Sequence, residues 1–330
     1  MRRVRRRSQR LADRGAAFKV LYFFAVVIGW ALFAVALAAV WLHFFPGRGQ
    51  VAIAAASAVP LMLLAIVPAI LILAVTRRWI STVLAVVLLG VGIWTQAPLF
   101  KAADAPTRGS VTVVQANLKL GQADAGEVVS RVRATGAALL TVEELTPQSL
   151  AALEGTDLRG MMPYEFVVPG EGGTGTGIFS RYPLRNTAEL NGFALGNLRA
   201  DVDLPGAPGT TVFAVHPIPP YPYDPDRWVD EMKRLRETVH GVTGDRVIVS
   251  GDFNATWDHA QYRSLLERGF RDATEQSGEG VQLTYPDDRS YPPLIGIDHV
   301  VTRGFTATSL STFSVTGSDH RALVVALVPS

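Results

Sequence analysis

Residues 246–254 read RVIVSGDFN, a run in which apolar residues give way abruptly to Gly251, Asp252 and Asn254. The apolar part is short and rich in Val and Ile, which predicts a buried strand. Polar side chains at the end of such a strand lie on a rigid support, where functional sites are common. Taken alone, Asp252 and Asn254 fit a turn-capping role equally well. Other segments of the chain are needed to distinguish a functional site from a capped turn.

Five further segments join an apolar run to polar residues. They contain Gln115 with Asn117, Glu143 with Glu144, His216, and the pairs Asp298-His299 and Asp319-His320. Hard oxygen ligands of the kind that Mg²⁺ or Mn²⁺ prefers are offered by Glu144, Asp252, Asn254, Asp298 and Asp319. His216 and His320 are able to donate to a phosphoryl oxygen or to move a proton. Because the chain has no Cys and no serine nucleophile motif, the set predicts metal-assisted attack by water.

The residues after position 100 predict one α/β domain. Helical patterns occur at 126–134, 147–154, 226–242 and 260–267. Short Val- and Ile-rich runs predict strands at 111–115, 138–142, 177–180, 199–204, 211–215, 246–250, 295–301, 305–313 and 322–328. Several of these strands follow one another with no helix between them, which argues against a purely parallel, doubly wound sheet. A mixed α/β sandwich fits this order better.

In their order along the chain, the polar segments resemble the elements of the endonuclease/exonuclease/phosphatase superfamily. The matching elements are Gln115-Ala116-Asn117, Val142-Glu143-Glu144, Gly251-Asp252-Phe253-Asn254, Ile297-Asp298-His299-Val300 and Ser318-Asp319-His320. The resemblance covers about residues 110–330. It implies a four-layer α/β sandwich, in which two mixed sheets lie face to face with helices outside. It also implies a metal-dependent hydrolase acting on phosphoester or phosphoanhydride bonds.

The resemblance implies that acidic and amide residues hold a metal ion and the attacking water. Glu144 is the expected main metal ligand, and Asn117 lies beside it and contacts metal or phosphate. Asp319 is expected to complete the metal or water shell. Asp252 is expected to orient and deprotonate the water, helped by Asn254. The expected ion is Mg²⁺ or Mn²⁺.

The same resemblance assigns the phosphate to the imidazoles. His320 is expected to hydrogen-bond the scissile phosphate, with Asp298 fixing its tautomer and orientation, and His216 is a second phosphate donor. Glu143 and His299 neighbour these site residues but alternate to the opposite face of their strands. Glu143 is therefore expected to be solvated or salt-bridged.

The first hundred residues have a different character from the rest. With 48% hydrophobic and only 18% charged residues, the chain is too apolar for a typical soluble protein. Long uncharged segments predict transmembrane helices. The predicted organisation is a basic N-terminus at 1–19, three transmembrane helices within 20–96 at about 20–42, 51–75 and 79–96, a linker at 97–110 and a catalytic domain at 111–330. A cleaved signal peptide is the alternative for the first segment, but its apolar stretch exceeds the usual ~7–15 residues.

Basic residues predict the orientation of these segments. Eight Lys/Arg precede the first segment, which predicts a cytoplasmic N-terminus. After three crossings the catalytic domain would lie outside the cytoplasm, as part of a multi-pass protein of the cell membrane. If the third segment, which is the shortest, does not cross, the domain is cytoplasmic.

Charge and tethering indicate the substrate class. Residues 1–100 carry eleven Lys/Arg against one Asp, whereas residues 101–330 carry 20 Lys/Arg against 28 Asp/Glu, a net charge of −8. This argues against nucleic acid as a partner, because affinity for a polyanion depends on phosphates neutralised by Lys and Arg. Tethering to the bilayer favours a membrane lipid or lipid-linked pyrophosphate, presented at high effective concentration. The aromatic, Pro-rich loop at 216–223 fits the rim of an acyl- or prenyl-chain site, or a rigid loop that packs on the domain.

The whole layout resembles the membrane-bound teicoplanin-resistance proteins of actinobacteria, which implies lipid intermediates of the cell wall as substrates. Two alternatives stay open: an exported Mg²⁺-dependent nuclease, and a non-catalytic sensor or scaffold at the membrane. All the expected catalytic positions are filled, which disfavours the second alternative. Protein partners and the bond cleaved are left open by the sequence.

Overall fold

The computed structural model describes residues 2–104 and 109–330. Met1 and the centre of the predicted linker 97–110 lie outside the described residues. The chain divides into two compact units: Met1–Phe45 with Ala58–Gln96, and Pro46–Ser57 with Ala97–Ser330. Residues 46–57 therefore belong to the second unit, although along the chain they lie between two segments of the first.

Helices make up nearly all of the first unit and the outer layers of the second. In chain order they are α1 (Arg2–Phe44), α2 (Gln50–Ser57), α3 (Val59–Leu63), α4 (Ile66–Val75), α5 (Trp79–Gln96), α6 (Ala125–Thr135), α7 (Pro147–Glu154), α8 (Leu158–Met161), α9 (Pro225–His240), α10 (Ala260–Arg263) and α11 (Ala273–Ser277). Short 3₁₀ helices occur at Ala97–Phe100 and Ser264–Leu266. Within the first unit, Ala36 of α1, Leu73 of α4 and Ala85 of α5 belong to one buried apolar cluster.

Two helical stretches are long and apolar enough to cross a membrane, Gly15–Phe44 and Trp79–Phe100. The predicted span 51–75 is instead broken: α2 ends before Ala58, and the helical path bends by 69° before it continues, so a third span exists only if the bent pair is one span. Pro60 gives a physical reason, because it has no N–H to donate to the carbonyl group one turn earlier.

The second unit contains two mixed six-stranded sheets. The strands are β1 (Val111–Asn117), β2 (Leu139–Glu143), β3 (Tyr164–Val168), β4 (Thr176–Ser180), β5 (Leu184–Glu189), β6 (Leu198–Leu204), β7 (Ala207–Val215), β8 (Val247–Asp252), β9 (Arg271–Asp272), β10 (Asp298–Arg303), β11 (Phe305–Ser314) and β12 (Arg321–Pro329). The first sheet has the order β11-β12-β1-β2-β4-β3 and the second the order β5-β6-β7-β8-β10-β9. Only the pairs β1–β2 and β7–β8 are parallel among the described strands.

Apolar residues fill the space between the sheets and the space under the helices. Along β1, Val113 belongs to the cluster between the two sheets, whereas its neighbour Val114 packs with α6 and α7, as the period-2 alternation of a strand requires. On the outer face of the second sheet, Trp228 and Leu235 of α9 pack with Tyr262 of α10. The result is the predicted four-layer sandwich.

Strand direction brings the polar strand ends to one edge of the sandwich. In the parallel pair β1–β2, Asn117 lies opposite Glu143, so Glu144 follows at the same end. In the antiparallel pair β8–β10, Asp252 lies opposite Asp298. Strand β12 runs antiparallel to β1, so His320, which comes just before β12, returns to the end of β1.

Candidate active site

The backbone around two of the site residues is unusual. Glu144 and Asn254 follow their strands with φ angles of 58° and 50°, in the left-handed region. This conformation suits Asn but is strained for Glu by about 1–3 kcal/mol, a kind of strain that concentrates at functional sites. Between β7 and β8, a Cβ at Gly251 would lie 2.0 Å from the carbonyl oxygen of Val215, so β8 requires glycine there to approach β7.

Asn117 lies between two carboxylates. Its Nδ2 donates to Glu144 Oε1 at 3.2 Å and to Asp252 Oδ2 at 3.1 Å. Its Oδ1 accepts from the backbone N–H of Lys119 at 2.9 Å, and Leu120 donates its backbone N–H to Glu144 Oε2 at 2.6 Å. These hydrogen bonds fix both carboxylates at the ends of β1, β2 and β8.

Asp252 also faces both predicted imidazoles. Its Oδ2 lies 3.7 Å from His216 Nε2 and 3.7 Å from His320 Nε2, and all three side chains are buried. Burial raises the pKa of Asp252 to about 6, although the nearby His320 counteracts this rise. Such a carboxylate is ionised near neutral pH and accepts a proton more readily than an ordinary Asp, which suits a general base.

His320 is paired with Asp298 through a hydrogen bond of 2.9 Å between Nδ1 and Oδ2. Burial alone would lower the pKa of His320, but attraction to Asp298 and Asp252 and the bond to Asp298 together raise it to about 10. The ring is therefore protonated at neutral pH, and Nδ1–H donates to Asp298. The other ring nitrogen keeps its N–H for a ligand in the site.

Asp298 is held on its other side by Gln115, whose Nε2 donates to Oδ1 at 2.9 Å. Burial would raise the pKa of Asp298, but the charge of His320 and the hydrogen bonds from His320, Thr284 and Gln115 together lower it. The carboxylate therefore stays ionised and keeps His320 charged and oriented.

His216 is positioned by Asn197, a residue outside every sequence motif. Asn197 Oδ1 accepts from the backbone N–H of His216 at 2.9 Å, and its Nδ2 donates to the His216 carbonyl at 3.2 Å. Both residues are buried, and His216 Nδ1 has no hydrogen-bond partner among the described residues. The sequence signal for Asn197 was only a lone amide before an apolar run, which is too weak to single it out.

Asp319 and Asn254 lie at the more open side of the site. Burial raises the pKa of Asp319. The nearby charges of His320 and Lys119 counteract this rise, and the negative charge of Glu144 adds to it. The backbone N–H of Asn254 donates to Asp252 Oδ1 at 2.8 Å, and its side chain donates to the carbonyl of Pro217 at 3.1 Å. Asn254 thus braces both Asp252 and the loop that follows His216.

All eight predicted site residues come together. A cleft of about 750 Å³, formed wholly by the second unit, is lined by Glu144, His216, Asp252, Asn254, Asp319 and His320. Asn117 and Asp298 do not line it but bond to residues that do. The rest of the wall is largely apolar. In the loop 216–223, Ile218 is buried in the core, whereas Pro219, Pro220 and Tyr221 line the cleft.

The expectation for Glu143 is wrong. Its side chain is fully buried, and its Oε2 accepts from Gln115 Nε2 at 2.8 Å. Burial raises its pKa well above the ordinary value. Glu143 lies beside the site residues, because the Nε2 of Gln115 donates both to Glu143 and to Asp298. Both faces of β2 are covered in this sandwich, so neither face meets solvent. For His299 the alternation argument holds, because its ring bonds to Asp272 and to the carbonyl of Ala255 and does not line the cleft.

Two sets of residues have donor atoms suited to a metal ion. Ligand atoms of Asp252, Asp298 and His320 lie within 4.8 Å of one another. A protonated imidazole does not coordinate a cation, however, and His320 is charged through its pairing with Asp298. Glu144, with Asp319 beside it, offers the oxygen donors that hard divalent ions prefer, and these acids lie close enough for their charges to repel. A divalent cation beside Glu144 fits this donor set.

Comparison with known proteins agrees with this architecture. The profile of the Endonuclease/Exonuclease/phosphatase family matches residues 114–320. Among solved structures, D. rerio TDP2 humanized by 14 mutations is 16% identical with a TM-score of 0.56, covering 66% of this chain and 99% of that one. An AP endonuclease from Archaeoglobus fulgidus is 14% identical with a TM-score of 0.55, covering 67% and 99%.

A third solved structure, the endonuclease/exonuclease/phosphatase from Beutenbergia cavernae DSM 12333, is 18% identical with a TM-score of 0.50 and covers 68% of this chain and 72% of that one. No curated protein matches the chain. At these identities the likenesses concern the fold, and they confirm the prediction of two mixed sheets flanked by helices.

Proposed function

Because the chain belongs to the endonuclease/exonuclease/phosphatase family, we propose that it is a divalent-metal-dependent phosphohydrolase that cleaves a phosphate or pyrophosphate joined to a membrane lipid. The observation that carries this proposal is one cleft in which acids and imidazoles share the walls with apolar side chains. Glu144, Asp252 and His320 line the same space as Ile53 and Tyr221. A ligand that fills it needs an anionic part and an apolar part next to each other.

In the proposed reaction a water oxygen forms a bond to phosphorus, and the bond from phosphorus to the leaving oxygen breaks. Asp252 takes the proton of the attacking water, and the leaving oxygen takes up a proton from solvent. Glu144, Asp319 and Asn117 are the residues that would hold Mg²⁺ or Mn²⁺. When bound, that ion supplies positive charge for the phosphoryl oxygens.

The two imidazoles contribute hydrogen-bond donors, and His320 also contributes positive charge. His320 donates Nε2–H to a phosphoryl oxygen, and Asp298 keeps the ring protonated and correctly oriented. His216, fixed through Asn197, provides a second contact, and its buried Nδ1 without a partner among the described residues supports a ligand in this place. His216 and His320, which both lie next to Asp252, thus stabilise the negative charge that builds on the phosphate in the transition state.

Features outside the cleft support a lipid over a nucleic acid as substrate. Residues 101–330 carry a net charge of −8, which disfavours a polyanion. Helical stretches long and apolar enough to cross a membrane precede the domain. From the eight Lys/Arg before the first stretch we further propose a cytoplasmic N-terminus and an extracytoplasmic catalytic domain in the cell membrane.

The activity is tested with the full-length protein in detergent. We expect it to release phosphate or a phosphorylated headgroup from polyprenyl pyrophosphate or phospholipid with Mg²⁺ or Mn²⁺, and EDTA to abolish this. Glu144→Gln, Asp252→Asn and His320→Ala should each reduce kcat by about 10²–10⁴-fold with the fold intact by circular dichroism. Glu237→Gln, an exposed acid on α9, is the matched control. Turnover that survives both EDTA and all three substitutions contradicts the proposal.

The proposed topology is tested separately with reporter fusions. A reporter after Arg78 should lie in the cytoplasm and one after Ser330 outside it, because a single further crossing separates the two positions. If both reporters lie on the same side, Trp79–Phe100 does not cross and the external location is wrong.

A further inference from the structure

Helix α2 forms part of the wall of the active-site cleft. Its cleft-lining residues follow one another at helical spacing and so share one face: Gln50, Ile53, Ala54 and Ser57, with Val51 beside them. The same cleft is lined by Glu144, Asp252 and both imidazoles. A segment that the sequence assigns to a membrane span thus lies within reach of the catalytic groups.

Two hydrogen bonds and a buried side chain hold α2 and the residues just before it in place. His259 Nε2 lies 3.0 Å from the carbonyl oxygen of Ile53, and its Nδ1 accepts from the backbone N–H of Thr256 at 2.9 Å. Burial lowers the pKa of His259 to about 4, so the ring is neutral and Nε2–H is the donor to Ile53. Gln261 Nε2 donates to the carbonyl of Gly47 at 2.9 Å. The Ile53 side chain is only 2% exposed and belongs to the core cluster around Trp228.

The surface beside this anchor is apolar and open. Val51 is 85% exposed, and Tyr221, on another wall of the same cleft, is 73% exposed. Pro219 and Ile295 extend the apolar surface. A cleft of about 750 Å³ has the volume of roughly 25 water molecules, and a diphosphate group fills less than half of that. The site therefore has room for an apolar group next to the phosphate.

We propose that this apolar part of the cleft binds the hydrocarbon chain next to the phosphate of the substrate, and that α2 selects substrates carrying such a chain. The inference rests on the proposed function and adds the residues that recognise the lipid. Residues 46–57 are joined at one end to α1, which contains a candidate membrane span, and at the other to α3, which begins the apolar second arm of the bent pair. The wall of the cleft is thus covalently continuous with apolar helices on both sides, which favours a membrane lipid over a soluble apolar molecule.

The test compares substrates that differ only in chain length. The full-length protein is given isopentenyl, geranyl and farnesyl diphosphate below their micelle concentrations, and in parallel short- and longer-chain phosphatidylglycerols. Each buried CH₂ contributes ~0.8 kcal/mol, about fourfold in binding, so kcat/KM should rise about tenfold or more from the shortest to the longest chain of the series that is cleaved. The readout is the ratio of kcat/KM for the long chain over the short chain.

Neutral polar substitutions then locate the selecting wall. Val51→Asn and Ala54→Asn should each lower that ratio to about threefold or less, because they place an amide where the chain would lie. Val281→Asn, a matched change of an exposed valine outside the cleft lining, should leave the ratio at its wild-type value. Val51 and Ala54 are both exposed, so thermal unfolding of all three variants should match the wild type.

The outcomes separate this inference from the proposed function. If neither headgroup series is cleaved, the proposed function fails and the inference with it. If cleavage occurs with no dependence on chain length, the hydrolase assignment stands and the inference is overturned. Chain-length dependence that is equal in Val51→Asn, Ala54→Asn and the control also overturns it, because α2 is then not the selecting wall.

Discussion

Two histidine–aspartate pairs, His320 with Asp298 and His299 with Asp272, have nearly the same geometry and different surroundings. His320 Nδ1 lies 2.9 Å from Asp298, and His299 Nδ1 lies 2.8 Å from Asp272. The second nitrogen distinguishes them. Nε2 of His320 lies beside Asp252 in the cleft, whereas Nε2 of His299 bonds to the backbone carbonyl of Ala255 at 2.9 Å.

An imidazole–carboxylate pair by itself therefore does not indicate catalysis. Both ring nitrogens of His299 form hydrogen bonds within the protein, one with Asp272 and one with the carbonyl of Ala255. Asp272 also accepts a hydrogen bond from the hydroxyl of Tyr262. This pair therefore holds the segment after Asp252 against the sheet. In His320, Nδ1 is hydrogen-bonded to Asp298, and Nε2 is left to bind a ligand in the cleft. The first pair should therefore govern stability and the second should govern turnover.

The largest expected effect is on stability. Asp272→Ala leaves His299 and the Tyr262 hydroxyl buried without their carboxylate, which should lower the free energy of unfolding by about 3–5 kcal/mol. Thermal unfolding of the full-length protein in detergent measures this. An unchanged stability together with a large loss of kcat would place the Asp272 pair in the reaction and break the comparison.

The next effect is on turnover. His320→Asn removes the charged donor beside Asp252 and should lower kcat by about 10²–10³-fold, equivalent to about 2.7–4 kcal/mol of transition-state stabilisation. His299→Asn is the matched control, and its kcat per folded molecule should stay within about threefold of the wild type. Steady-state kinetics on the preferred substrate decide this, and equal losses in the two variants would contradict the distinction.

A smaller effect concerns pH. Burial disfavours a charged His320, but Asp298 and Asp252 outweigh it and raise its pKa to about 10, so the wild type should keep its protonated donor up to about pH 10. Asp298→Asn removes one of these charges, so the pKa falls and activity should be lost at a lower pH. We also expect about a tenfold lower kcat near neutral pH, because the ring is less well oriented. A pH profile whose alkaline limb does not move would exclude Asp298 as the group that sets the charge.

The smallest effect is the pH dependence of stability from the His299 pair. Burial alone would lower the pKa of His299, but Asp272 and the bond to Ala255 raise it overall, whereas the pKa of Asp272 is lowered against its burial by His299, Tyr262 and Thr274. The contribution of His299 is fully present below about pH 6.5 and is lost as the pH rises through its folded value; that of Asp272 is lost at acid pH, below about 3.9.

The stability deficit of His299→Asn should therefore be largest between about pH 4 and 6.5 and should shrink towards alkaline pH. Unfolding measured at several pH values checks this. A stability deficit of His299→Asn that is the same at every pH would mean that charge attraction does not hold His299 and Asp272 together.

Most of the fold followed from short-range patterns. The predicted helix at 147–154 has the same bounds as α7, where Thr146 caps the first turn and Pro147 begins the helix. The strands that had no sequence signal, such as β3 and β5, lie at sheet edges and are partly or largely exposed, so they carry little apolar alternation. Their backbone pairing with β4 and β6 holds them, and no local pattern records that.

The clustering of the candidate site side chains was predictable where a polar residue ends an apolar strand. Family membership confirms the predicted superfamily and a metal-dependent hydrolase of phosphoester bonds. The contacts of Asn197 with His216 and of His259 with Ile53 could not be foreseen, because they join positions far apart in the chain. For the same reason, α2 was predicted to be the start of a membrane span. Its small apolar residues are typical of such a span, and only the structure shows that it packs in the second unit.

The central claim is that the cleft serves a phosphate joined to an apolar chain. The most direct measurement is the kcat/KM of the full-length protein for polyprenyl pyrophosphate or phospholipid in vesicles, side by side with single- and double-stranded DNA and RNA at the same metal and salt concentrations. We expect faster release of phosphate or phosphorylated headgroup from the lipid than cleavage of any nucleic acid. A preference for nucleic acid would contradict it and would identify the protein as a nuclease.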